Sequence, residues 1–260
     1  MRTAFPILLA LFCFSTAYGE IQTSTVEYTD GDVTLQGFAA WDPAKVTQPA
    51  PGILIVHQWM GLTEYEKSRC KQLADLGYVA FALDIYGKGV RPENPKQAAE
   101  FAGIYKKDRA LYRRRLNLGL QKLRTHENVA KDRIAAIGYC FGGTGVLELA
   151  RSGADMKGVV SFHGGLDSPA PEDGSKIKCK ILVCHGADDP FVPANEIDAF
   201  KSELNSAKVD WQMIYYSNAV HAFTQPMAGN DNSRGAAYNE HADRRSWEAM
   251  KQFFDELFGK

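Results

Sequence analysis

No continuous stretch in the 260 residues reaches the roughly 20 apolar side chains that a bilayer crossing needs, so no membrane span is expected. No charge of one sign dominates either. The 30 Lys and Arg stand against 31 Asp and Glu, which excludes an electrostatic nucleic-acid binder. Cysteines number five and none form a C-x-x-C pair, so a dithiol redox motif is missing. There is no G-x-S-x-G, no internal repeat and no Gly/Ser/Pro linker. Pro169–Lys176 is the most loop-like segment, and it is too short to separate domains. What remains is the composition of an ordinary globular chain, 45% hydrophobic and 23% charged.

The first 19 residues stand apart. Arg2 is the only charge, the 11-residue apolar run Ala4–Phe14 follows, and Ala17-Tyr18-Gly19 puts small residues at the −3 and −1 positions of a signal-peptidase site. The run is too short to span a membrane. Residues 1–19 are therefore expected to be a signal peptide, leaving 20–260 as an exported domain, periplasmic or secreted. Ala10, Leu11 and Phe12 precede Cys13, where a lipoprotein signal would place small residues.

The rest of the chain alternates two periodicities. Thr25–Tyr28 and Val33–Ala40, separated by Asp30-Gly31-Asp32, predict an antiparallel hairpin. Gly52–His57, Tyr78–Leu83, Ile134–Gly138, Gly158–Phe162, Ile181–Cys184 and Val209–Tyr216 predict strands, the first a continuous apolar run suited to burial on both faces. Thr63–Leu76, one or two segments within Pro95–Arg124, then Gly142–Ala150, Ala194–Ser206 and Ala237–Phe258 predict helices. Such alternation predicts a single α/β domain, a mostly parallel sheet with helices on both faces and the hairpin at its N-terminal side.

Chemistry concentrates at Gly138-Tyr139-Cys140-Phe141-Gly142-Gly143, a G-x-nucleophile-x-G motif with Cys in place of Ser. It falls where a strand stops and a helix starts, the context this motif requires. The helix N-terminus favours thiolate over thiol, and the Phe141 N–H is placed for a developing oxyanion. A buried structural Cys in a Gly-rich turn is the alternative. Two later loops weigh against it. Asp188 and Asp189 follow a strand end, and His221 lies in a loop before the last helix, giving the chain order nucleophile, acid, histidine. Asp188 suits a turn or a helix cap.

These stretches, with His57-Gln58-Trp59-Met60-Gly61-Leu62 and Asp84-Ile85-Tyr86-Gly87, resemble the dienelactone hydrolase family of α/β-hydrolases along essentially the whole mature chain. The resemblance implies a Cys140–Asp189–His221 triad and an oxyanion hole from the N–H groups of Phe141 and Trp59. Three positions depart from the family pattern. Its best-known members carry a Glu where Gln58 stands, and arginines that hold a substrate carboxylate where Lys88 and Gln225 stand. Gln has no charge and Lys lacks the bidentate fork of Arg, so a more neutral ester or lactone is expected than a dianionic dienelactone.

Gln58, Met60, Tyr86, Lys88, Phe223 and Gln225 are accordingly expected to line the substrate pocket, with core packing open as the alternative for the aromatic residues. His57, His163 and His185 end strands, but no spacing resembles a zinc signature, so no metal or other cofactor is expected. The Arg113-Arg114-Arg115 run is expected to be the solvated side of a helix. The chain is expected to work as a monomer on a small-molecule ester or lactone. Two other readings stay open, a catalytically silent binding protein on the same fold and a thiol redox protein using Cys140.

Overall fold

The computed structural model describes residues 20–46 and 49–259, so the expected signal segment 1–19 lies outside the described residues. Eight strands form one sheet in the order β1-β2-β4-β3-β5-β6-β7-β8, where β1 is Gln22–Asp30, β2 Val33–Trp41, β3 Ala50–Val56, β4 Val79–Ala82, β5 Val129–Tyr139, β6 Gly158–Phe162, β7 Lys180–Gly186 and β8 Trp211–Tyr216. β1, β2 and β4 pair antiparallel, and every pairing from β4 through β3 to β8 is parallel. All seven residues of β3 are buried, as a strand covered on both faces requires.

Helices α1 (Glu64–Asp75) and α6 (Glu240–Phe258) cover one face, packing Cys70, Leu73, Met250 and Phe254 against Ile53, Ile55, Ile137 and Leu182. Helices α2 (Pro95–Lys107), α3 (Arg109–Arg124), α4 (Phe141–Arg151) and α5 (Ala194–Ser206) cover the other, where Tyr112, Leu116, Leu147 and Phe200 meet Leu54, Val56, Ala136 and Val183. The right-handed βαβ rule makes this two-sided wrapping the natural outcome of the alternation. Among the described residues no helix is long and apolar enough to cross a membrane.

Several element boundaries differ from expectation by a few residues, and two of them have a clear local reason. β5 starts at Val129, five residues early, because Ala50 pairs with Val129 before the register shifts to Gly52 with Ile134; Lys131 and Asp132 sit exposed in the irregularity. α6 starts at Glu240 behind an Asn239 cap rather than at Ala237, because the Ala237 N–H donates to the carbonyl of His221.

The arginine run is a correction to the expected solvated face. Arg115 is buried, paired with Asp30 at 2.8 Å and donating to the Ile85 carbonyl at 2.6 Å, so it ties α3 to the loop after β4. Arg113 pairs with the buried Glu148 of α4 and with Asp173. Arg114 alone keeps an exposed side chain. Beside them Arg151 lies fully buried, bonded to Glu203 through two parallel contacts of 2.8 and 2.7 Å, to Glu148 at 3.0 Å, and to the Leu166 and Asp167 carbonyls. Removing one member of such a buried cluster strands the opposite charge. Arg151→Met is expected to lower the unfolding free energy by about 3–5 kcal/mol in urea titration. A loss below about 1 kcal/mol would mean the cluster behaves as a screened surface pair.

Candidate active site

Four consecutive parallel strands end on one edge, and the loops leaving them carry the chemistry: His57 after β3, Cys140 after β5, His163 after β6 and Asp189 after β7. His221 arrives from the loop after β8. Open α/β sheets present their ligand crevices at this carboxyl edge.

The turn at Cys140 is held by close backbone contact. A Cβ on Gly138 would lie 1.9 Å from the Gly142 carbonyl oxygen, and one on Gly142 would lie 2.2 Å from the Val56 carbonyl oxygen. Only glycine permits both approaches. Cys140 itself sits at φ 54° and ψ −115°, outside the ordinary helical and extended regions, which marks a strained elbow of the kind found at functional sites. Its N–H is shared between the Phe162 carbonyl oxygen at 3.0 Å and His163 Nδ1 at 3.1 Å.

Sγ of Cys140 stands 3.0 Å from Nε2 of His221, and Nδ1 of His221 stands 2.9 Å from Oδ2 of Asp189. Burial alone would raise the thiol's pKa. The charge and hydrogen bond of His221, the Phe141 N–H and the charge of Lys106 outweigh it and hold the thiol below its ordinary value. Burial likewise works against protonation of His221, but the cysteine and Asp189 raise it to about 10. Both shifts are in the direction that favours a thiolate–imidazolium pair. Asp189 also braces its own loop, since its Oδ1 accepts the Phe191 N–H at 2.9 Å. The neighbouring Asp188 is exposed and takes no part in the triad contacts.

The other histidines at this edge are held neutral. His57 is driven down to about 4 by burial; its Nδ1–H donates to the Gln58 carbonyl at 2.6 Å and its Nε2 accepts the Ile85 N–H. Burial also holds His163 well below the usual imidazole range. Because His163 Nδ1 accepts from Cys140, its Nε2 carries the proton and donates to Thr224 Oγ1 at 2.8 Å. Thr224 accepts a second hydrogen bond from Tyr65, which in turn takes one from the buried Arg69. Among the described residues no three His, Cys, Asp or Glu side chains are grouped to hold a metal ion.

The loop over the thiol is clasped at both ends by one carboxylate. The fully buried Glu66 accepts the N–H of Gln58 at 3.3 Å and that of Thr63 at 2.8 Å. Within it Gln58 turns its amide oxygen onto the Met60 N–H, and Tyr86 donates to the Trp59 carbonyl, leaving the indole partly exposed. Gln225 closes the turn after His221 by donating its N–H to Ala222. Sequence reasoning missed Thr224, Glu66 and Phe191; only their places within a few residues of motif positions could have drawn attention to them.

Two expected pocket residues are placed elsewhere. Lys88 reaches away to the hairpin and pairs with Glu27 of β1 at 2.7 Å. Phe223 is 0% exposed, packed on His163 and Tyr216, so it is core. His221, two residues earlier, meets Cys140 and Asp189, and the positive φ of 59° at Ala222 between them breaks the alternation and lets Phe223 turn inward.

The model of the dienelactone hydrolase family matches residues 36–258. The chain belongs to the dienelactone hydrolase family. Membership makes it an α/β-hydrolase of ester or lactone bonds. This family member superposes on the solved structure m3DLH with a TM-score of 0.88 at 40% identity, covering 92% of its own length and 100% of the other chain. A dienelactone hydrolase-like promiscuous phosphotriesterase from metagenomic libraries matches with a TM-score of 0.86, also at 40% identity, over 92% and 99% of the two chains. A Synechocystis protein provisionally named carboxymethylenebutenolidase is 25% identical over 253 residues, 90% of this chain and 97% of that protein.

The ionisation of the thiol is directly testable. Iodoacetamide should alkylate Cys140 with a pH midpoint below the unperturbed thiol value of about 8.5. His221→Asn removes the imidazolium that holds the thiol down, so the midpoint should move up. Alkylation rates measured across pH for both proteins decide it, and a wild-type midpoint at or above about 8.5 would contradict the ion pair.

Proposed function

We propose that this hydrolase cleaves a small ester or lactone through Cys140 as nucleophile and a thioacyl-enzyme intermediate. The observation that carries the reading is the aligned pair of contacts, 3.0 Å from Sγ to Nε2 and 2.9 Å from Nδ1 to Oδ2, on a single imidazole. A binding protein would have no need of that alignment.

In this mechanism the Cys140 thiolate attacks the carbonyl carbon, forming the S–C bond, while the carbonyl electron pair moves onto oxygen. The Phe141 and Trp59 N–H groups hold the resulting oxyanion. Collapse breaks the bond to the leaving oxygen, which takes the Nε2 proton of His221. His221 then removes a proton from water, the hydroxide attacks the thioester carbon, and the thiolate departs with the acid released. Asp189 fixes the imidazole tautomer and steadies the imidazolium without taking the proton. The neutral positions Gln58 and Gln225, with Lys88 tied to Glu27, support an uncharged substrate over a dianionic one. Work by a monomer on a small molecule, with no cofactor, suits this chemistry.

A redox role is less well supported, because Cys70, Cys179 and Cys184 are buried thiols whose ionisation burial suppresses, which makes them poor resolving partners. The phosphotriesterase relative adds a phosphate triester to the panel of substrates to be tried.

Cys140→Ala should reduce turnover of a chromogenic acetate ester to background with little change in melting temperature, since Ala adds no volume to the elbow. Parallel losses of activity and stability would instead mark Cys140 as a structural thiol.

We also propose export with removal of residues 1–19, supported by the apolar run and the small residues at 17 and 19. Protein recovered from the periplasm or medium of an expressing bacterium should have Glu20 as its first residue by intact mass. Full-length protein retained in the cytoplasm would contradict it.

A further inference from the structure

Phe191 is 58% exposed, the most exposed aromatic side chain among the described residues. It is nevertheless held firmly. Its N–H donates to Asp189, the carboxylate that also orients His221. Its ring meets the His221 imidazole edge-to-face, with centroids 5.5 Å apart and planes at 79°. The ring rests on Gly235, where a Cβ would come within 3.0 Å of the Phe191 ring and 2.9 Å of Pro190. Gly235 sits at φ +78°, and its carbonyl accepts the His221 N–H at 3.1 Å. The exposed ring is thus fixed by the same groups that fix the base.

We propose that Phe191 is the wall against which the leaving group packs, and that the substrate is a neutral ester of an aromatic alcohol. The inference rests on the Cys140 reading above and adds the substrate class to it. When the C–O bond breaks, the departing oxygen must lie within about 2.6–3.2 Å of His221 Nε2 to receive its proton. The inner side of the imidazole is closed by the fully buried His163, whose ring centroid is 5.3 Å away. In this proposal whatever the leaving oxygen carries extends outward, toward Phe191, whose ring contacts the same imidazole. A leaving-group ring packed on Phe191 at about 4.5–7 Å between centroids would gain attraction beyond its buried area. A charged substituent would find no counter-ion in Lys88, which is paired with Glu27.

The test compares phenyl acetate with methyl acetate, so that the acyl group is common and only the leaving group differs. Phe191→Ala should lower the ratio of kcat/KM for the phenyl ester over the methyl ester by about tenfold. Phe191→Leu, which restores apolar area without a ring, should recover some of that ratio. An unchanged ratio overturns the proposal, because a residue that merely supports His221 would affect both esters alike. Binding supplies a reading independent of turnover. By ligand-observed NMR, the Cys140→Ala protein should bind phenyl acetate more tightly than methyl acetate, and adding Phe191→Ala should erase the difference. Equal binding of the two esters to Cys140→Ala overturns the aromatic assignment whether or not the thiol is the nucleophile. Absence of turnover by the wild-type protein, together with preferential phenyl binding by Cys140→Ala, would sink the thiol reading and leave Phe191 in place.

Discussion

Everything at the carboxyl edge depends on how closely the N-terminus of α4 presses into the sheet. Glycines at 138, 142 and 143 let its first turn touch β3, β5 and the loop after β6 at distances no side chain would allow. That contact forces Cys140 into its positive-φ backbone conformation, lifts the sulfur off the edge and points the helix N-terminus at it. It also drives Phe141 inward, where its ring stacks on Tyr112 at 4.6 Å and its carbonyl accepts the Tyr112 hydroxyl. Cys140 stays half-buried at the edge, not fully buried, because the residue after it is anchored.

The same edge separates one charged imidazole from several neutral ones. His57, His163 and His185 are all lowered first by burial, and none has a described carboxylate at hydrogen-bond distance. Of the four, His221 alone faces both a carboxylate and a thiol, which overcomes burial. The neutral rings then serve as spacers and hydrogen-bond relays: His57 joins the loop over the thiol to the loop after β4, and His163 joins the elbow to Thr224. A second cation beside the imidazolium would weaken the ion pair.

The fold was legible because its strands and helices differ so plainly in period, and the elbow because glycine has few other reasons to recur around a strand end. Cys140, Asp189 and His221 were legible from order and context. Lys88 was misplaced because alignment to a motif fixes a position along the chain but not the rotamer, and Glu27 on a distant strand claimed its charge. Phe223 was misplaced because a residue two places from a cleft histidine can face either way in a turn. Arg115 and Glu66 look like surface residues in a linear reading. Their burial becomes sensible only when Asp30, Ile85 and the 58–63 loop are brought against them from elsewhere in the chain.

The sheet also divides the remaining thiols. Cys70 and Cys184 lie in the core on the α1 and α6 side, whereas Cys179 lies on the opposite side among α5 and its neighbours. A backbone layer thus stands between Cys179 and the other two, and each is sealed from solvent. In an oxidising surrounding, pairing of Cys179 with either of the other two is consequently a property of the unfolded chain and not of the native one. The rate at which the protein loses itself to wrong disulfides is set by how often it opens, so every contact that slows global unfolding also acts as an antioxidant.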